Sequence, residues 1–380
     1  MPNYSGMWTL QAQMQARSQD TWTGIIQDTL WSWGYNNNGQ LGQNSTSNSS
    51  SPVQIGALTN WSTADTGGTT TLAVKADGTL WSWGLNSSGQ LGQNDLVKRS
   101  SPTQVGALLD WSKASISTGA LTASAIKTNG TIWAWGENGA GQLGQNNKVY
   151  RSSPVQIGAL TTWADISSGQ EYILAIKTDG TLWAWGSNSD GELGQNDRVA
   201  RSSPVQVGAL TTWSKIASGV SNSFAIKTDG TLWSWGNNGQ GQLGQNDIVK
   251  RSSPVQIGAL TNWSKISCGT YTAIATKTDG TLWTWGYNLR GQIGDSTVIN
   301  RSSPVQIGAL TTWSKVSAKG GQCGAIKTDG TLWIWGGNVA GALGQNDTVY
   351  RSSPVQVGAL TTWSVVAVED NVVAIQRYAT

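Results

Sequence analysis

The chain has 380 residues, only 12% of them charged, and a net charge of +3 from 24 basic residues spread along its length rather than in blocks. That distribution argues against a basic patch for nucleic acid. The complete lack of His and the presence of just two Cys leave little material for general-base catalysis, a metal site or a cofactor. No run approaches the ~18 apolar residues of a membrane span, and no apolar segment follows a basic N-terminus, so neither membrane insertion nor a cleaved export signal is expected.

Residues 1–22 stand apart from the rest of the chain. Met7, Leu10 and Met14 fall at helical spacing, and Trp8 belongs to no repeat, so Met7, Trp8, Leu10 and Met14 are candidate attachment residues of a short docking helix. A disordered leader or a plug over one end of the fold is the other possibility.

From residue 23 to residue 380 the chain is periodic. Trp-x-Trp-Gly recurs at Trp31, Trp81, Trp133, Trp183, Trp233, Trp283 and Trp333, and a further Trp opens each unit at Trp61, Trp111, Trp163, Trp213, Trp263, Trp313 and Trp363. A fixed period near 50 residues marks a single repeat array in which no unit buries its apolar face alone. In the unit from Trp163 to Thr212, Trp163–Ser168 and Tyr172–Thr178 read as two strands, and Asp179-Gly180 as a two-residue hairpin turn with positive φ values. Thr181–Trp185 reads as a third strand; after a Gly-rich loop, Pro204–Val207 reads as a short fourth, at an edge where Pro is tolerated. Four antiparallel strands per unit, repeated around a ring, predict an all-β seven-bladed propeller. The first unit lacks its opening strands, and the last stops after two, so the N- and C-terminal strands are expected to share the closing blade.

The stretch from Ala175 through Lys177, Asp179-Gly180-Thr181 and Trp183 to Gly186, followed by Asn188, Gly191, Leu193 and Gly194, resembles the regulator of chromosome condensation repeat. The resemblance covers residues 22–378 and implies a seven-bladed propeller. That family includes a nucleotide exchange factor for a small GTPase, a plant ultraviolet sensor and β-lactamase inhibitors, so membership implies a fold and a mode of binding rather than a partner. The sensor's Trp-bearing loop is absent here, where the matching stretch reads Gly169-Gln170-Glu171-Tyr172, and no long insertion breaks the period. Residues Tyr4–Leu10, then Gln11–Trp22, resemble a leader on virion proteins of marine bacterial viruses.

Copies that agree elsewhere differ where the first and second strands join. The tips include Thr69 and Thr70, Leu121 and Thr122, Gln170, Glu171 and Tyr172, Ser221 and Asn222, Thr270 and Tyr271, Gln322, and Glu369 and Asp370. A regular scaffold with individual tips is how a propeller builds a non-symmetric binding face. These tips carry no Lys or Arg, which suits a protein or glycan surface better than phosphate. A second variable series lies at Lys98, Tyr150, Ala200, Lys250, Asn300 and Tyr350, and each Asp of Gln-Asn-Asp is expected to pair with the Arg four residues on. The expected function is that of a non-enzymatic bacteriophage virion protein, tail- or head-associated. It would be held by other virion proteins through residues 1–22 and would present the propeller to a host-surface protein or glycan. The alternative is a soluble cellular or secreted interaction module, or an inhibitor, located in the cytoplasm rather than the virion.

Overall fold

The computed structural model describes residues 26–119 and 121–379; the proposed attachment residues Met7, Trp8, Leu10 and Met14, and Ala120 of the second tip, lie outside them. The described residues form seven four-stranded antiparallel sheets and no helix. We number the blades one to six by their opening residues Trp61, Trp111, Trp163, Trp213, Trp263 and Trp313. The closing blade, seven, combines Trp363–Val368 and Asn371–Ala379 with Ile26–Gly34 and Ser49–Gln54. Its central pairing sets Ile26 opposite Ala379 and Gly34 opposite Asn371 without a break.

Blade three shows why the sequence takes this form. Its strands Trp163–Ser168, Tyr172–Lys177, Leu182–Gly186 and Arg201–Gln206 pair in chain order. The first lines the central channel and the last lies at the rim. The fourth strand begins three residues before Pro204. The register shifts between Ala184 and Gly186, so Pro204 sits in an irregular stretch of the ladder where its missing N–H is tolerated.

The hairpin differs from the two-residue turn expected. Gly180 N–H donates to the Lys177 carbonyl at 2.9 Å and Lys177 N–H to the Thr181 carbonyl at 3.0 Å, so the loop has three residues, Thr178, Asp179 and Gly180. Only the glycine takes a positive φ, +76°, and a Cβ there would stand 2.2 Å from the Thr211 carbonyl oxygen. Asp179 instead works through its side chain, with Oδ1 accepting from Thr181 N–H at 2.9 Å and from its hydroxyl at 2.7 Å. The Trp183 indole N–H then donates to Thr181 Oγ1 at 2.9 Å. The repeated Asp-Gly-Thr-x-Trp is one hydrogen-bonded unit.

The core lies between blades, not within them. Trp185 is fully buried and packs with Trp163, Ile166 and Ile173 of its own blade and with Leu143 and Ile157 of blade two. Its indole N–H donates to the Gln142 carbonyl of blade two at 2.9 Å. Trp163 meets Trp183 and Trp185 edge-on, with ring centroids 6.0 and 6.1 Å away, an arrangement the ring quadrupoles favour. Trp183 is only half-buried and carries the Lys177 ammonium 3.6 Å from its centroid. Equivalent clusters recur at every seam, so no blade has a core of its own.

Candidate binding face

In an antiparallel blade, the join between strands one and two and the loop between strands three and four lie at the same end. The tips and the long loops therefore share one face, on which a simple rule sorts the predicted residues. Gln170, Glu171, Tyr271 and Asp370 are exposed; Thr69, Leu121, Ser221 and Thr270 are half-buried. Thr70, Thr122, Tyr172, Asn222, Gln322 and Glu369 are buried. Except for Glu369, each of the last group opens a second strand and turns inward. The Tyr172 hydroxyl, for example, donates to the Asn222 carbonyl of blade four at 2.7 Å, and Thr122 and Gln322 donate to loop carbonyls of their own blades. These inward residues hold the face in place, and the outward ones are free to meet a partner.

Two of the exposed tip residues, Tyr271 and Asp370, meet in one sector. Between the tips of blades five and six, a cavity of about 470 Å3 is lined by Thr270, Tyr271, Tyr287, Arg290, Gln240 and Asp370, among others. Tyr271 and Tyr287 stand edge-to-face with centroids 6.2 Å apart, and Tyr271 is 40% exposed. Arg290 is exposed and has no carboxylate partner among the described residues. Its side chain fits because two neighbours lack a Cβ: one on Gly321 would stand 3.3 Å from Nη1, and one on Gly337 3.1 Å from Cδ. Two amphipathic rings, one guanidinium and one carboxylate in a half-open cavity are suited to holding an extended polar chain with an aromatic or acidic side chain.

Tyr287 and Arg290 are absent from the predicted set, although the signal is present. They occupy the first and fourth positions after the repeat glycine, where the copies read Tyr35 and Asn38, Leu85 and Ser88, Glu137 and Ala140, Ser187 and Asp190, Asn237 and Gln240, and Gly337 and Ala340. This series varies as freely as the tips and borders the same cavity.

The channel mouth beside this sector is equally asymmetric. Six residues after the opening Trp, the copies carry Gly67, Ser117, Gly169, Gly219 and Gly269, and then Lys319 and Glu369. Lys319 of blade six reaches past blade seven to donate to Asp65 Oδ1 at 2.8 Å, the Thr66 carbonyl at 2.8 Å and the Ile116 carbonyl at 2.9 Å. Asp65 itself replaces a Ser or Ala. At its position Ser115, Ser167, Ser267 and Ser317 each accept from a backbone N–H of the next blade at 3.0 to 3.1 Å, and Asp65 Oδ2 does the same from Ile116 at 3.0 Å. Glu369 packs between Gly68 of blade one and Gly320 of blade six, where a Cβ on either would come within 3.1 Å of it. Its Oε2 has no partner among the described residues.

Burial is the main reason the Glu369 carboxyl is pushed up to about 8. Lys319 opposes the shift, and the Asp370 and Asp65 carboxylates add to it. The folded protein therefore holds a proton that the unfolded chain releases near its ordinary value of 4.5. Stability from this group is complete at low pH and is lost as pH rises toward 8, with a slope no steeper than about 1.4 kcal/mol per pH unit. Glu369→Gln is expected to flatten that decline, leaving the variant about 1 to 3 kcal/mol more stable than the parent near pH 8 and little changed near pH 5. Urea midpoints across that range check it, and parallel curves would show that Glu369 does not carry the proton.

In the outer loops four carboxylates pair locally. Asp95, Asp197, Asp247 and Asp347 meet Arg99, Arg201, Arg251 and Arg351 at 2.6 to 2.8 Å, as the spacing predicts. Cys268 and Cys323 are free, buried thiols, and burial raises both. Among the described residues no group of His, Cys, Asp and Glu is placed to hold a metal ion, and no helix is long and apolar enough to cross a membrane.

A family model described as the RCC1-like domain matches residues 67–375, and the model of the regulator of chromosome condensation (RCC1) repeat matches residues 27–74. No curated protein sequence matches the chain. Among solved structures, human WBSCR16 superposes with a TM-score of 0.81 at 21% identity, over 92% of this chain and 98% of its own. Prp20p from Saccharomyces cerevisiae, in a structure whose description includes binding to Gsp1p and histones, gives 0.81 at 21% identity over 93% and 92%. Yeast RCC1 (Prp20) bound to Kap60 gives 0.82 at 19% identity over 100% and 96%. At these identities the likeness is one of fold.

Proposed function

The chain belongs to the RCC1-like domain family, and from that premise we propose that it is a non-enzymatic binding platform whose tip face engages a protein partner. The supporting observation is where the symmetry breaks. A scaffold that repeats Trp, Gly and Asp-Gly-Thr nearly unchanged places Tyr271, Tyr287, Arg290 and Asp370 in one cavity and Lys319 and Glu369 in the adjoining mouth. Relatives of this fold meet partner proteins, as the Kap60 complex and the Gsp1p and histone binding of yeast Prp20 illustrate. Binding rather than catalysis is proposed because the whole sequence offers no His as a general base.

The test is site-directed crosslinking in source material. A photoreactive group at Tyr271 should give one saturable protein adduct, one at Leu310 on a strand-four-to-one connection should not, and Arg290→Glu should weaken the Tyr271 adduct about tenfold or more. Equal products from both sites would remove the tip face from consideration. Stimulated nucleotide release from a small GTPase would overturn the non-enzymatic part.

The finer proposal is that of a bacteriophage virion component, in the tail or head, held by other virion proteins through residues 1–22 and turning the tip face toward a host-surface protein or glycan. Its support is the resemblance of Tyr4–Trp22 to virion leaders. Sedimentation of the full chain with large particles, and its loss on removing residues 1–22, is the expected result. If both forms run as free monomers, the soluble cellular or secreted interaction module takes its place.

A further inference from the structure

Two residues after the opening Trp, the copies read Thr63, Lys113, Asp165, Lys215, Lys265, Lys315 and Val365. The lysines of blades four, five and six are far apart in sequence, but the ring brings them to one place. Each stands near the start of a first strand, at the end opposite the tips, so the three border the far mouth of the central channel. Two blades show how a side chain behaves at this position. Lys113 reaches the next blade and pairs with Asp165, and Lys315 likewise reaches blade seven and donates to the Ser364 carbonyl.

In blades four and five the position ahead holds another lysine in place of a carboxylate. No carboxylate among the described residues pairs with Lys215, Lys265 or Lys315, although Lys75, Lys113, Lys127, Lys250 and Lys319 each have one. The first strands of blades five and six are in contact, with Ala318 N–H donating to Ser267 Oγ at 3.0 Å. Partial burial, with the charges of Lys265 and Arg377, holds the Lys315 ammonium below its ordinary value. Asp28, the carboxylate beside Arg377, is already taken by it at 2.8 Å. Three like charges therefore face one opening with nothing of opposite sign between them.

We infer that this mouth is a binding site for a compact multivalent oxyanion, an oligophosphate or a polycarboxylate, lying against Lys215, Lys265 and Lys315. Ammonium groups are point charges without the planar fork by which arginine matches phosphate or carboxylate, so the site selects by charge rather than shape. Confinement sets the size. The channel cavity measures about 360 Å3, runs from Ser112 and Lys113 at this mouth to Lys319, and is bridged at the tip side where Lys319 contacts blades one and two. Three ammoniums on an arc of three blades match one small ligand entering from this side, whereas nucleic acid requires a stripe of basic residues along a face. None of the three lysines belongs to the tip face, so the inference is independent of the tip-face proposal.

The test is calorimetric titration of the whole protein in low-salt buffer with tripolyphosphate, citrate and acetate in turn. The expected result is saturable binding of tripolyphosphate, citrate or both, with acetate about tenfold weaker or more. Which of the first two binds distinguishes phosphate from carboxylate. Lys265→Gln is expected to weaken that binding about tenfold or more, whereas Lys98→Gln, which removes the same charge from an outer loop, leaves it within about twofold. Both side chains are exposed, so both variants are expected to fold, and melting curves without anion check it. Equal weakening by the two substitutions overturns the proposal, because binding then follows net charge alone. A lack of response to both multivalent anions overturns it too, including the case in which only polyglutamate binds and the mouth is a docking surface for an acidic polypeptide.

Discussion

A chain ended after Asp370 is expected to give no folded ring. The lost strand, Asn371–Ala379, is not an edge: it lies between Ile26–Gly34 and Trp363–Val368 in the closing sheet. Removing it exposes both neighbours and takes away Val372, Val373 and Ile375, all essentially inaccessible to solvent. Burying three such side chains is worth about 5–9 kcal/mol, comparable with the ~5–15 kcal/mol that separates folded from unfolded states in typical proteins. The circular dichroism of the packed indoles and the gel-filtration volume should both change, with loss of a cooperative melt. Arg377→Ala is the contrast. It breaks the exposed pair with Asp28 at 2.8 Å and keeps the strand, so its cost should stay below about 1 kcal/mol. A truncated chain that melts like the parent would mean that the ring does not depend on its closing blade.

The second large effect separates two tryptophans that the repeat presents as equals. Trp185→Ala is expected to cost about 3–5 kcal/mol, since it empties a fully buried site shared by two blades and leaves the Gln142 carbonyl without its donor. Trp183→Ala should cost about 1–2 kcal/mol, because that ring is half-buried and its removal opens the buried Lys177 and Thr181 beside it to water. Urea midpoints of the two variants make the comparison. Equal losses would contradict a core placed at the seams.

The contrast shows what periodicity conveys. Strand number, blade count and the shared closing blade follow from the spacing of Trp and Gly, because a repeat of that length has few ways to bury its apolar residues. Side-chain direction at the ends of strands is less legible. Tyr172 and Asn222 vary between copies as a binding face would, yet they point inward, since a variable position also arises wherever a neighbouring blade differs. Arg290 is hidden for the opposite reason: its loop reads as an ordinary Gly-rich connection until its distance to the Tyr271 tip is known. Lys319 and Glu369 are visible by alignment of the copies, as charges where glycine or serine is the rule. That Lys319 reaches past blade seven to blades one and two is a three-dimensional fact, set by the diameter of the ring.

The shared blade has a consequence for the chain as it is made. Thr29 and Gln376 are neighbours in space but 347 residues apart in sequence. At roughly 5–20 residues per second, a ribosome exposes the first strand for about 17–70 s before its partner is complete. Through that interval Ile26–Gly34, with the second Trp of its motif destined for full burial, has one hydrogen-bonding edge without its native neighbour. Any nascent chain nearby offers nearly identical strands, so the period most hazardous for this protein is the half-finished one, when strands from two different polypeptides compete for the same place.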